Sequence, residues 1–137
     1  MPEEQRHGRG LLDTSVVIDM EILDPSRLPH EVAISSVTMA ELAAGPHATI
    51  DPEERGRRQD RLQRAEAAFD PIPFDTDAAR AYGRVFSAVT AAGRKARGAR
   101  AVDLLIAATA LAAGLPLYTR NGDDLGAVHD LVEMVVL

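Results

Sequence analysis

Short apolar runs that end abruptly in polar residues alternate along this chain with longer stretches whose apolar positions recur every three or four residues. Gly10-Leu11-Leu12 runs straight into Asp13, and Val16, Val17, Met20 and Leu23 follow at a helical spacing, which predicts strand, sharp turn, helix. Val32 to Val37 predicts a second strand, and Thr38-Met39-Ala40-Glu41-Leu42 opens a short helix that Gly45-Pro46 stops. Asp51-Pro52-Glu53-Glu54 supplies a capping Asp, a proline in the first turn and acids at the positive end of the dipole, so a third helix should run to about Phe69. Its first half, Glu53 to Asp60, has no large apolar residue and should face solvent or a partner. Phe69 to Phe74, broken by Pro71 and Pro73, reads as an irregular connector or a weak edge strand. Asp75 or Thr76 then caps a helix with Ala78, Tyr82, Val85, Phe86 and Val89 on one apolar face. Val102 to Ala113 is apolar on nearly every side and predicts a buried helix, closed by Gly114. Leu117-Tyr118-Thr119 and Leu131 to Leu137 complete the set of strands.

Strands alternating with helices imply an α/β fold: a mostly parallel central sheet of about four to five strands flanked by helices on both faces. The 137 residues make one domain, long enough to bury roughly two-thirds of its unfolded surface without a disulfide or structural metal. That domain is expected over 11–137. Residues 1–10 lack the apolar run of a signal peptide and read as a flexible leader. Hydrophobic residues are 46% of the chain and aromatic ones only 4%, so the core must be built from Ala, Leu and Val. The absence of cysteine excludes thiolate zinc sites, disulfides and cysteine nucleophiles, and suits a reducing cytoplasm. No apolar stretch approaches the ~20 residues of a membrane span. His7, His30, His47 and His129 are scattered without ligand spacing.

A net charge of −6 argues against a protein that grips nucleic acid through its overall field. Any such contact must be local. Arg94, Lys95, Arg97 and Arg100 form a basic run with no acid among them, leading directly into Asp103. They are candidates for phosphate contact, against the simpler reading of a solvated loop.

The candidate chemistry lies in the acids. In open α/β sheets the ligand crevice forms beyond the carboxyl ends of the strands. Asp13 directly follows the first strand, Glu41 comes shortly after the second, and Asp123-Asp124 follow Leu117-Tyr118-Thr119. Asp103 enters from the first turn of the predicted buried helix. Several carboxylates in one crevice repel each other unless a cation intervenes, and all-oxygen ligation suits Mg²⁺, with Mn²⁺ as a substitute. Each acid also has a structural reading. Thr38 and Glu41 fit a capping box, Asp103 sits where it would favour a helix dipole, and Asp123-Asp124 suit a loop. Asp13 is the hardest to explain that way, because a carboxylate at the end of an apolar strand is costly to bury unless paired or metal-bound. Asp19 and Glu21 fall on the polar side of their helix and read as surface.

Four segments in order resemble the signature segments of the PIN-domain nucleases, and among these the VapC-type toxins of bacterial toxin-antitoxin pairs. They are Leu11-Leu12-Asp13-Thr14-Ser15, Met39-Ala40-Glu41-Leu42, Asp103-Leu104-Leu105-Ile106-Ala107-Ala108-Thr109-Ala110 and Thr119-Arg120-Asn121-Gly122-Asp123-Asp124-Leu125. The resemblance spans about Leu11 to Leu137. It implies a Mg²⁺-dependent endoribonuclease acting on structured transfer or ribosomal RNA, a cognate VapB-type antitoxin that blocks the site, and a homodimer. Asp13 and Asp103 match the family's principal metal ligands, Glu41 its third acid, and Ser15, Thr119 and Asn121 its supporting polar positions. The family's last segment has one Asp before a Phe, whereas here Asp123-Asp124 precede Leu125, and the spacing from Asn121 favours Asp124 as the fourth acid.

Two other functions compete. An aspartate-based phosphatase or receiver would use Asp13 as nucleophile, but it needs a second Asp close behind or a Lys near the last strand. Position 15 is Ser and no Lys follows Lys95. A non-catalytic binding module of the same fold, acting through antitoxin or RNA contacts, differs from the nuclease only in turnover.

Overall fold

The computed structural model describes residues 6–93 and 99–137, the side chains of residues 99, 100, 123 and 124 excepted. Four strands, β1 (Arg9–Leu12), β2 (Glu31–Ile34), β3 (Leu117–Thr119) and β4 (Met134–Val136), form one sheet in the order β2-β1-β3-β4. All neighbours are parallel. The helices are α1 (Thr14–Ile18), α2 (Ser36–Ala44), α3 (Pro52–Ala68), α4 (Thr76–Ala91) and α5 (Ala99–Ala113).

Strand alternation divides the core in two. In register, Leu11 lies beside Ala33 and Leu117, and Leu12 beside Ile34 and Tyr118. Successive side chains of a strand point to opposite faces. Accordingly Leu11, Ala33 and Leu117 pack with Val85 and Val89 of α4 and with Leu104 and Ile106 of α5. Leu12, Ile34 and Tyr118 pack instead with Val16 and Val17 of α1, Leu42 of α2 and Ala65 of α3. Leu11, Leu12, Ile34, Leu104, Ile106 and Leu117 are fully buried. At roughly 1.5–3 kcal/mol per large aliphatic side chain, these residues anchor both layers.

Several boundaries differ from the sequence expectation. β1 starts at Arg9, and Glu31 and His30 donate backbone hydrogen bonds to the Gly8 and His7 carbonyls at 2.9 and 3.0 Å. The described part of the expected leader is therefore joined to the sheet. β2 stops at Ile34 because Ser35 turns out to cap α2, its hydroxyl accepting from Thr38 N at 3.0 Å. Helix α1 ends at Ile18, since Asp19 N bonds back to the Val16 carbonyl (3.2 Å) in a tightened last turn. Met20 and Leu23 thus lie beyond it. On α4 the buried stripe is Ala78, Ala81, Val85 and Val89, whereas Phe86 is 45% exposed and leans on Tyr82. The Phe69–Phe74 segment contributes one parallel bridge, Ser35 with Ile72, between its two prolines.

Helix α5 ends in a Schellman motif. Leu115 N reaches the Ala110 carbonyl (3.0 Å) and Gly114 N the Leu111 carbonyl (3.2 Å), with Gly114 at φ +67°. No helix among the described residues is long and apolar enough to cross a membrane.

Gly10 has a different constraint. A Cβ there would stand 2.6 Å from Cε1 of Tyr118 and 3.1 Å from Cγ of Pro29. The Tyr118 ring is buried and cannot swing aside. Gly10→Ala is therefore expected to destabilise the fold by about 1–3 kcal/mol, read as a lowered midpoint in thermal or urea unfolding.

Candidate active site

Because the sheet is parallel, the carboxyl ends of β1, β2 and β3 open on one edge, and each is followed by a polar residue. Asp13 follows β1 and is 5% exposed. Its backbone N donates to the Tyr118 carbonyl at 2.9 Å, which fixes it beside the end of β3. Its carboxylate caps α1: Oδ1 accepts from Val16 N (3.2 Å) and from the Ser15 hydroxyl (2.5 Å). Both bonds fall on one oxygen, so Oδ2 is not tied down by them. The Ser15 hydroxyl in turn accepts from Arg120 N at 3.1 Å, joining this corner to the residue after β3.

Glu41 occupies the next position along the edge. With Ser35 as N-cap, Thr38 is the third residue of α2, so the expected capping box between Thr38 and Glu41 is not formed. Glu41 Oε1 instead accepts from the Thr14 hydroxyl at 2.5 Å. Thr14 Oγ1 lies 3.1 Å from Thr38 Oγ1, and Ser35 Oγ 3.3 Å from Thr38 Oγ1. An ionised carboxylate only accepts, so the hydroxyl protons run from Ser35 through Thr38 and Thr14 towards Glu41. This chain of three hydroxyls, two of them buried, has no counterpart in the sequence expectation. Its only signal in the sequence is the density of Ser and Thr around the two acids.

Asp103 lies half-buried on α5, where the next residue, Leu104, is in the core with Leu11. The helix begins at Ala99, a turn earlier than expected, and has no acid in its first turn, which removes the dipole reading of Asp103. Thr119 is fully buried and its hydroxyl accepts from Asn121 N at 3.0 Å, while Asn121 itself is exposed. Asp123 and Asp124 fall in the 3-10 turn Gly122–Val128, held in the core by Leu125 and Val128. Their side chains are outside the described residues, as are Arg94, Lys95 and Arg97 entirely and the side chain of Arg100.

Asp19 departs from its surface reading. It is partly buried and pairs with Arg120 at 2.8 Å, a second tie between α1 and the end of β3. Glu21 pairs with Arg64 of α3 on the exposed surface.

A crevice of about 340 Å³ lined by Thr14, Glu41, Leu42, Gly45, Glu54, Arg58, Arg61 and Ile18 opens beside Glu41; neither Asp13 nor Asp103 lines it. It shares Ile18 and Arg61 with a larger, mainly apolar groove of about 580 Å³ between α1, α3 and the edge strand β2. The larger cavity is not where the acids are. Hydrogen bonds from Arg57 and then Arg58 hold the Glu54 carboxyl below its ordinary value. Glu54 therefore favours the folded state above the ordinary carboxylate range, and that contribution fades as pH falls through its lowered value.

Among the described residues no three His, Asp or Glu side chains are grouped closely enough to hold a metal ion. The donor chemistry still suits a hard divalent cation: a nine-tenths-buried carboxylate, Asp13, with one oxygen uncommitted, and a second, Glu41, oriented on the same edge. Asp13 with Ser15 behind it is a poor phosphoryl-accepting nucleophile site, since the residue that would be a second Asp is a hydroxyl spent on Asp13 itself. Removing that hydroxyl in Ser15→Ala should cost about 1–2 kcal/mol of folding stability, measurable by urea denaturation.

A PIN-domain family model matches residues 10–130. The chain is 35% identical over 131 residues to ribonuclease VapC5 of Mycobacterium tuberculosis, covering 93% of each. It is 35% identical over 132 residues to ribonuclease VapC4 of the same organism, covering 94% of this chain and 97% of that one. Among solved structures it resembles a chain of VapBC-5 from Mycobacterium tuberculosis, with a TM-score of 0.81, 35% identity and coverage of 95% and 98%. A chain of VapBC2 from Rickettsia felis, bound to promoter DNA, shares the fold at a TM-score of 0.74 and 21% identity, covering 94% and 98%.

Proposed function

The chain belongs to the PIN-domain family, and from that membership and the geometry of its acidic edge we propose that it is a VapC-type endoribonuclease, the toxin of a toxin-antitoxin pair. The carrying observation is the placement of Asp13 and Glu41 on the carboxyl edge of the sheet, each held through one oxygen by a neighbouring hydroxyl. The reaction is hydrolysis of phosphodiester bonds in structured transfer or ribosomal RNA. The site takes Mg²⁺, with Mn²⁺ as substitute, and its ligands are Asp13 and Asp103, with Glu41 and Asp124 completing the acidic set. When bound, such an ion lowers the pKa of its water and offsets charge developing on a phosphoryl oxygen.

The protein's own groups supply position. Ser15 and Val16 N lock one oxygen of Asp13 and thereby set the direction of the other. The hydroxyl chain through Thr14 holds one oxygen of Glu41 on the wall of the crevice that the residue lines. Thr119 and Asn121 shape the turn that carries Asp124. The partner is a VapB-type antitoxin, as in the VapBC structures to which the chain is similar, and the assembly we propose for the active protein is a homodimer.

Incubation of the purified protein with total RNA tests the reading. Cleavage is expected in Mg²⁺, absent in EDTA, and restored by adding the metal back. Asp13→Asn and Asp103→Asn should each slow it by about a hundredfold or more while circular dichroism stays unchanged. Metal-independent cutting, or cutting indifferent to both substitutions, would sink the proposal. Binding of RNA or antitoxin without any cleavage would favour the non-catalytic module.

A further inference from the structure

Helix α3 carries arginines at 55, 57, 58, 61 and 64, and four of them are engaged. Arg55 donates to the Pro46 and Thr49 carbonyls at 3.0 and 2.8 Å. Arg57 and Arg58 share Glu54, and Arg58 also reaches the Gly45 carbonyl at 2.9 Å. Arg64 pairs with Glu21 at 2.9 Å. Arg61, by contrast, has no hydrogen bond or ion pair among the described residues, although it is half-buried. It stands where the acid-lined crevice and the apolar groove meet, lining both.

Resting on the nuclease reading above, we infer that Arg61 is a substrate-binding residue that grips a phosphate of the RNA backbone in the crevice it shares with Glu41. A partly desolvated guanidinium forgoes hydration without recovering it from an anion, and the nearby carboxylates do not supply one. Glu54 is held by Arg57 and Arg58, Glu21 by Arg64, and Glu41 takes the Thr14 hydroxyl. The acids of the crevice belong to a chain of net charge −6, which repels a polyanion unless a cation stands beside them. The planar fork of Arg presents parallel donors that match two phosphate oxygens, a geometry Lys does not reproduce. An incoming phosphodiester that reaches Thr14 and Glu41 passes Arg61 on the wall of the same crevice. The anion that Arg61 lacks is thus the one the proposed reaction brings.

RNA binding is measured across a salt series in an Asp103→Asn background, where the RNA stays whole, with Arg61 intact, Arg61→Gln and Arg61→Lys. Arg84→Gln, on the exposed face of α4 and away from both cavities, is the control. Arg61→Gln should weaken binding about tenfold and reduce the slope of log affinity against log salt by about 0.7–0.9, the signature of one lost phosphate contact. Arg61→Lys should keep the slope and lose affinity a few-fold, and Arg84→Gln should change neither. In the otherwise unaltered chain Arg61→Gln should raise KM with kcat nearly constant. Unchanged affinity and slope in Arg61→Gln, or an equal change in Arg84→Gln, overturns the inference. Weaker capture of an antitoxin with unaltered RNA binding also overturns it and assigns Arg61 to an acidic group of the protein partner. If the unsubstituted chain cuts RNA and Arg61→Gln behaves identically, only this inference falls; if it neither binds nor cuts RNA, the nuclease reading falls with it. Thermal unfolding of each variant keeps folding and binding losses apart, and Arg61→Lys preserves the charge should the Gln variant prove unstable.

Discussion

A buried carboxylate at the end of a central strand is the constraint around which this molecule is arranged. An ionised Asp taken out of water costs several kcal/mol unless hydrogen bonds replace its hydration. Asp13 recovers part of that from Val16 N and the Ser15 hydroxyl, both on Oδ1. The same bonds start α1 directly after β1, and the backbone bond from Asp13 N to the Tyr118 carbonyl aligns the start of α1 with the end of β3. Ser15 and the Asp19–Arg120 pair repeat that alignment twice more. A helix of five residues is too short to hold its place by its own ladder. It is fixed by ties to its neighbours, and those ties are what orient Asp13. Capping and chemistry are therefore served by different oxygens of one side chain.

The sheet makes this economical. Its parallel order puts three strand ends on one edge, and the alternation of Leu11 and Leu12 sends one side chain into each core layer. The residue after such a pair is the first that belongs to neither layer, and in β1 that residue is Asp13. On the far side α5 presents apolar residues all round, which is why a single carboxylate there, Asp103, cannot be read as part of an exposed stripe. The hydrophobic pattern and the acidic pattern are two views of one topology.

That is also why so much was legible in the sequence. The apolar runs at Leu11-Leu12 and Leu117-Tyr118 and the all-round apolar α5 specify strands and a buried helix with little competition. Boundaries were less legible where two local motifs overlap. Ser35-x-x-Thr38 and Thr38-x-x-Glu41 both satisfy capping spacing, and the choice depends on where β2 stops hydrogen-bonding, which no local pattern encodes. The start of α5 escaped because Ala99, Arg100 and Ala101 are good helix formers with no apolar periodicity. Phe86 fits the helical spacing of the apolar face with Tyr82 and Val85, yet it lies off the Ala81-Val85-Val89 stripe. The ties of Asp19 to Arg120 and of Ser15 to Arg120 join residues a hundred positions apart, and only the sheet brings them together.

Charge poses the remaining problem, since a chain of net −6 has to admit a polyanion to an edge lined with acids. Long-range attraction cannot do this, because the field of the whole protein has the wrong sign. Short-range groups can, within a screening length of about 8–10 Å. Helix α3 offers such groups, but most are neutralised in place: Glu54 occupies two guanidiniums and Glu21 a third. Together with Arg55 on the Pro46 and Thr49 carbonyls and Arg58 on that of Gly45, these pairs keep a polar, apolar-poor helix attached to the body without making it a general nucleic-acid surface. A wall built this way discriminates by position. It leaves uncompensated charge at one point of the crevice instead of spreading it over a face, so a backbone that follows the crevice is favoured over one that merely lies on the protein.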